Sequence, residues 1–105
     1  MFCVVYQWQV KADKEEQFRQ SWCTITEAIF CQNGSLGSRL HKNDDGTFVA
    51  YAQWPSRELW AANAPTLGVD LARQERDACL VEGSAVTVVF RLTACDDMLA
   101  TGPAS

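Results

Sequence analysis

The chain has 105 residues, 48% of them hydrophobic and 21% charged, enough for one compact domain with a buried core and too few for two. Nine Lys and Arg against thirteen Asp and Glu leave a net charge of -4, spread without a basic run, which argues against nucleic acid and an anionic membrane surface as partners. No stretch approaches the roughly 20 apolar residues of a bilayer span, and Met1 leads into a strand pattern instead of a secretory leader.

Residues 2–10 alternate, with Phe2, Val4, Tyr6, Trp8 and Val10 on one face and Cys3, Val5, Gln7 and Gln9 on the other. The spacing predicts a first strand whose apolar face meets helices and whose second face is mixed. Asp13 followed by Glu16 opens a helix over 13–32 in the manner of an acidic capping pattern. Phe18, Trp22, Ile25 and Ile29 form its apolar stripe, and Asn33-Gly34 ends it. Residues 36–42 and 47–54 alternate again around Asn43-Asp44-Asp45-Gly46, a hairpin turn.

Pro55-Ser56 breaks this strand, and a short helix follows over 57–63 with Leu59 and Trp60. Gly68 and the potential cap Asp70 introduce another helix to about residue 80. Leu67, Leu71 and Ala78 are its expected apolar side, with Arg73, Glu75, Arg76 and Asp77 on the wet side. Residues 85–93 read as a buried strand from their β-branched and aromatic run, and 100–105 as a loose tail.

The order βαββαβ is the ferredoxin-like α+β class, an antiparallel four-stranded sheet running 4-1-3-2, in a single domain over residues 1–99. Helices cover one face of such a sheet. Cys3, Val5, Gln7 and Gln9 with Val49, Tyr51 and Gln53 make the other a mixed patch, so a homodimer through that face is expected.

Three segments carry a family resemblance: 4–18, Val-Val-Tyr-Gln-Trp onward to Phe18; 34–41, Gly-Ser-Leu-Gly-Ser-Arg-Leu-His; and 48–58, Phe-Val-Ala-Tyr-Ala-Gln-Trp-Pro-Ser-Arg-Glu. They resemble the antibiotic biosynthesis monooxygenase-like (ABM) domains of the dimeric α+β barrel superfamily. The resemblance implies a dimeric barrel with a pocket between sheet and helices. It also implies a monooxygenase that oxidises an aromatic hydroquinone or phenolic small molecule with no cofactor, the substrate supplying the electrons to oxygen. The alternative is a dimeric small-molecule binding or accessory protein without catalysis. The haem-degrading branch is known for an Asn, a Trp and a His where this chain has Tyr6, Asn63 and Arg73, which disfavours haem breakdown.

Within that framework Tyr6, Trp8 and Trp60 are the expected substrate-pocket residues, because aromatic walls suit a planar ligand. Trp22 and Trp54 are assigned to the core. Tyr6, Asn63, Arg39 and His41 are the catalytic candidates: Tyr6 and Asn63 beside the substrate, Arg39 for a developing anion and His41 for a proton. Each has a structural counterpart reading. His41 on a strand near a turn reads first as a surface or interface histidine, Asn63 before Ala64-Pro65 as a helix terminator, and Arg39 and Arg91 as ion-pair partners across the dimer. A single histidine and no CxxC spacing leave no metal site. Five cysteines, an odd number, suit free thiols in a reducing, cytoplasmic setting, with Cys3 and Cys31 buried and inert.

Overall fold

The computed structural model describes residues 1–99, and the tail expected at 100–105 lies outside the described residues. Strand β1 (Phe2–Trp8) pairs antiparallel with β3 (Phe48–Trp54) on one side and with β4 (Thr87–Thr93) on the other, while β2 (Gly37–Lys42) pairs with β3. The sheet order is β2-β3-β1-β4, the expected order read from the opposite edge. Helices α1 (Glu15–Asn33), α2 (Arg57–Ala61) and α3 (Asp70–Ala78) complete the ferredoxin-like α+β fold. None of the described helices is long and apolar enough to cross a membrane.

The register of the central pair divides the core. Phe2 lies opposite Trp54 and Trp8 opposite Phe48, so large residues face each other at both ends; between them Val4 and Tyr6 face only Ala52 and Ala50. One buried cluster gathers Trp8, Phe18, Phe48, Ala50, Cys79 and Leu80, and a second gathers Phe2, Val4, Ala52 and Trp54. Tyr6 packs against both.

Helix α1 supplies the cover. Phe18 and Ile25 of its stripe are buried, while Trp22 and Ile29 are partly so. A 3-10 turn at Ala12–Lys14 precedes it, so Asp13 sits inside that turn and makes no cap bond, contrary to the capping expectation. Gly34, at φ 81, ends the helix in the left-handed conformation that glycine adopts without penalty. The hairpin turn closes as expected: Asp45 accepts from both the backbone and hydroxyl of Thr47, and these bonds hold its carboxyl below the usual range.

Two elements depart from expectation. Strand β4 was expected to be buried, yet Phe90 is 55% exposed and Leu92 43%. It is an edge strand with no helix over its outer face, and Val88 alone packs on the core. On α3, Leu67 and Leu71 are exposed, at 77% and 68%. The inward side instead runs from buried Val69 through Arg73 and Arg76 to buried Leu80, at spacings of about one helical turn each. Cys79 is buried too, and desolvation pushes its thiol above the ordinary value. Cys31, expected to be buried, is exposed, as are Cys23 and Cys95.

Phe18 joins helix to sheet, its ring centroid 5.5 Å from that of Trp8 and 5.2 Å from that of Phe48. Phe18→Ala is expected to lower the unfolding free energy by about 3–5 kcal/mol in urea denaturation. A loss below about 1 kcal/mol would mean that α1 is held to the sheet by something other than this contact.

Candidate functional site

Where the two core clusters meet, the small side chains of Ala50 and Ala52 leave a cavity of about 390 Å³ between the sheet and the helices, within the usual range for small-molecule sites. All four tryptophans of the chain, Trp8, Trp22, Trp54 and Trp60, line it together with Tyr6. Trp22 and Trp54 therefore face the cavity as well as the core.

Tyr6 and Trp60 form its best-defined polar contact. The indole Nε1–H of Trp60 donates to the Tyr6 hydroxyl oxygen at 2.8 Å. An indole N–H can only donate, so the Tyr6 hydroxyl accepts here and keeps its own hydrogen for another acceptor. Trp60 is held in turn by Phe2, with ring centroids 5.5 Å apart, and by the Arg91 guanidinium 5.6 Å from its ring centroid. Arg91 thus lies over an aromatic ring on the helix side of the sheet, opposite Val4 in the register. Trp8 stacks on Tyr6, with centroids 6.0 Å apart, and its own indole nitrogen is buried with no partner among the described residues.

Asn63 ends the α2 turn, as its structural reading required. Its φ is 48 and its amide donates to the Trp60 carbonyl at 3.2 Å, a left-handed conformation that Asn tolerates better than most residues. The same position places it on the cavity wall. Helix α2 begins at Ser56, whose hydroxyl accepts from the Leu59 amide, as expected of a cap.

The segment that follows Asn63 is fastened by the end of α1. Gln32 both donates to the Leu67 carbonyl at 2.9 Å and accepts from the Leu67 amide at 2.8 Å. Asn33 donates to the carbonyls of Ala64 and Pro65 and accepts from the Thr66 hydroxyl at 2.7 Å. Asn33, Ala64 and Thr66 all line the cavity.

Tyr6, Trp8, Trp60 and Asn63 are thus brought together, whereas Arg39 and His41 are not. Leu40 of β2 packs toward the core, so its neighbours Arg39 and His41 stand on the opposite face of the sheet. There Arg39 Nε donates to His41 Nε2 at 2.9 Å, and His41 Nδ1 bonds the Val49 carbonyl at 3.1 Å. The two bonds together require the neutral imidazole with its hydrogen on Nδ1. On the same face the Cys3 sulfur and the Tyr51 hydroxyl are 3.0 Å apart, a bond that pushes the Tyr51 phenol above its ordinary value.

Arg73 and Arg76 of α3 also line the cavity, a placement that sequence reasoning missed. Their spacing from Val69 was the available signal, but the leucines at 67 and 71 suggested the other side of the helix. Among the described residues no three His, Cys, Asp or Glu side chains gather as a metal site.

Comparison with known proteins places this geometry. The family profile described as antibiotic biosynthesis monooxygenase matches residues 1–63. A crystal structure described as an antibiotic biosynthesis monooxygenase superposes with a TM-score of 0.70 at 19% identity, covering 91% of this chain and 100% of that one. Rv0793 from Mycobacterium tuberculosis gives 0.68 at 17% identity, covering 93% and 98%. SnoaB, a cofactor-independent oxygenase from Streptomyces nogalater, gives 0.69 at 15% identity, covering 92% and 95%. At such identities these likenesses speak to the fold. No curated protein matches this chain in sequence.

The tryptophan lining makes intrinsic fluorescence a reporter of occupancy. A planar probe such as 1-naphthol is expected to quench it, and Ala52→Leu, which projects a branched side chain into the cavity, is expected to weaken that binding at least about tenfold. Equal quenching in the folded variant would place the probe elsewhere.

Proposed function

The chain belongs to the antibiotic biosynthesis monooxygenase family, and on that premise we propose that it is a monooxygenase of an electron-rich aromatic small molecule, a hydroquinone or related phenol, working without a bound cofactor. The observation that carries this reading is the Tyr6 hydroxyl inside an aromatic-walled cavity, with its acceptor side engaged by Trp60 and its hydrogen free.

The chemistry asks little of the protein beyond binding and polarisation. A planar ring system lies among the tryptophans, which exclude water and offer stacking faces. The Tyr6 hydroxyl donates to a phenolic oxygen and so favours its ionised form. Asn63 is positioned on the cavity wall to donate a second bond from its side-chain amide. The resulting electron-rich anion reduces dioxygen directly. For a ring methylene the balance is CH2 + O2 giving C=O + H2O: one oxygen atom bonds to carbon, and the other leaves as water with the two hydrogens.

A specific observation favours a second reading, a binding or accessory protein without turnover. Among the described residues no His, Asp or Glu lines the cavity, so the substrate must lose its phenolic proton to water or to a group already on the ligand.

The outer sheet face supports self-association. Phe90 and Leu92 are exposed there beside Val5 and Cys3, which they oppose in the register, and a two-fold copy would cover this face on both chains. It would also account for the apolar run of β4, which no helix covers.

Oxygen uptake across a panel of hydroquinones and anthrone-type compounds tests the enzyme reading. At least one compound should be consumed faster than it autoxidises, with Tyr6→Phe or Asn63→Ala lowering kcat/KM by about 10²-fold. If every compound that quenches the tryptophans is consumed only at its autoxidation rate, the binding-protein reading replaces it. For assembly, light scattering should give twice the chain mass at micromolar concentration, and Phe90→Asp should shift it toward the monomer. A wild-type monomer would refute the homodimer.

A further inference from the structure

The cavity has an electrostatic asymmetry that the oxygenation chemistry does not use. Two of its lining residues, Arg73 and Arg76, are cations three residues apart on one side of α3, close enough for their side chains to act on one group. Among the described residues no carboxylate lines the cavity with them. The Arg76 side chain is only 16% exposed, and its Nε donates to the exposed Asp77 carboxylate at 3.3 Å. That bond occupies one of the five guanidinium N–H donors and leaves the others. Arg73 is partly buried and forms no ion pair among the described residues.

A guanidinium cannot discharge itself by losing a proton, so partly burying one beside apolar walls is unfavourable unless an anion meets it, and among the described residues Asp77 meets only one edge of Arg76 and none of Arg73. The side of α3 that would otherwise carry Leu or Ile between Val69 and Leu80 carries two such groups. Building on the aromatic-substrate reading above, the geometry points to an anion-binding subsite: Arg73 and Arg76 receive a carboxylate on the ligand, and the substrate is an aromatic phenol acid in place of a neutral hydroquinone. Tyr6 and the two arginines line the same cavity. Tyr6 offers a hydrogen to a phenolic oxygen, and the two arginines offer a planar fork to the acid group, so one rigid ligand is fixed at both ends.

The test uses two probes that differ only in the acid group, 1,4-dihydroxy-2-naphthoate and 1,4-dihydroxynaphthalene, titrated under argon with tryptophan fluorescence as the readout. Wild-type protein should bind the naphthoate at least about tenfold more tightly than the diol. The ratio should collapse toward one in the Arg73→Gln/Arg76→Gln double variant. A second measurement guards against a variant that fails to fold: in the wild type the ratio should fall as salt rises from about 50 to 500 mM, because screening weakens the charge pairing and leaves stacking intact. Equal affinity of wild type for the two probes, binding of neither, or a preference that survives both the double variant and salt overturns the inference. With oxygen absent, the ratio is independent of turnover. A protein that prefers the naphthoate but consumes no oxygen keeps the subsite and loses the oxygenase; one that oxidises both probes equally and binds them equally does the reverse.

Discussion

The antiparallel register of β1 against β3 governs the rest of the molecule. Phe2 meets Trp54 and Trp8 meets Phe48, while Tyr6 and Val4 meet alanines. A well-packed interior tolerates few voids larger than a water, and most cores would place a branched side chain at positions 50 and 52. Here the shortfall in volume falls in the middle of the sheet, with large residues sealing each end. The cavity is a product of which side chains are paired across two strands, and it needs no special loop or insertion. A one-residue slip would turn Tyr6 away from the helices and remove both the opening and its only hydroxyl-bearing aromatic.

Much of this could be read from the chain. The alternation of β1 and β3 gave the correct inward faces, and the stripe of Phe18 and Ile25 gave the correct covering helix. Tyr6, Trp8, Trp60 and Asn63 meet as the family likeness implied. Arg39 and His41 lie on the sheet face away from the cavity although β2 alternates clearly, because parity fixes that two residues share a face but not which face holds the cavity. Leu40, packed inward, decides it. On α3 hydrophobicity misled: Leu67 and Leu71 lie in water while two arginines turn inward. Periodicity methods assume that the buried side is the apolar one, and a ligand cavity breaks that assumption. The apolar run of β4 likewise misled, because that strand lies at the sheet edge with Phe90 and Leu92 exposed.

The two faces of the sheet carry different kinds of polar chemistry. On the outer face, Arg39, His41 and the Val49 carbonyl satisfy one another, as do Cys3 and Tyr51. The Arg39 Nε–H, both His41 ring nitrogens and the Cys3–Tyr51 pair are engaged there with one another or with backbone, which stiffens that face. On the inner face the Tyr6 hydroxyl hydrogen and the guanidinium donors of α3 face a cavity that no carboxylate lines among the described residues. Cationic donors without a carboxylate beside them suit a ligand that carries oxygen acceptors.

The bonds from Gln32 and Asn33 to residues 64–67 bear on how such a ligand would enter. The Gln32 amide exchanges a donor and an acceptor with the backbone of Leu67, as a neighbouring strand would, so the connecting segment after α2 is docked to the last turn of α1. Ordering a loop around a guest normally consumes part of the affinity. A rim already fastened has little ordering left to lose, and its stiffness shifts selection to the fixed outline of the opening: guests are sorted by shape at the threshold before any polar group inside can judge them.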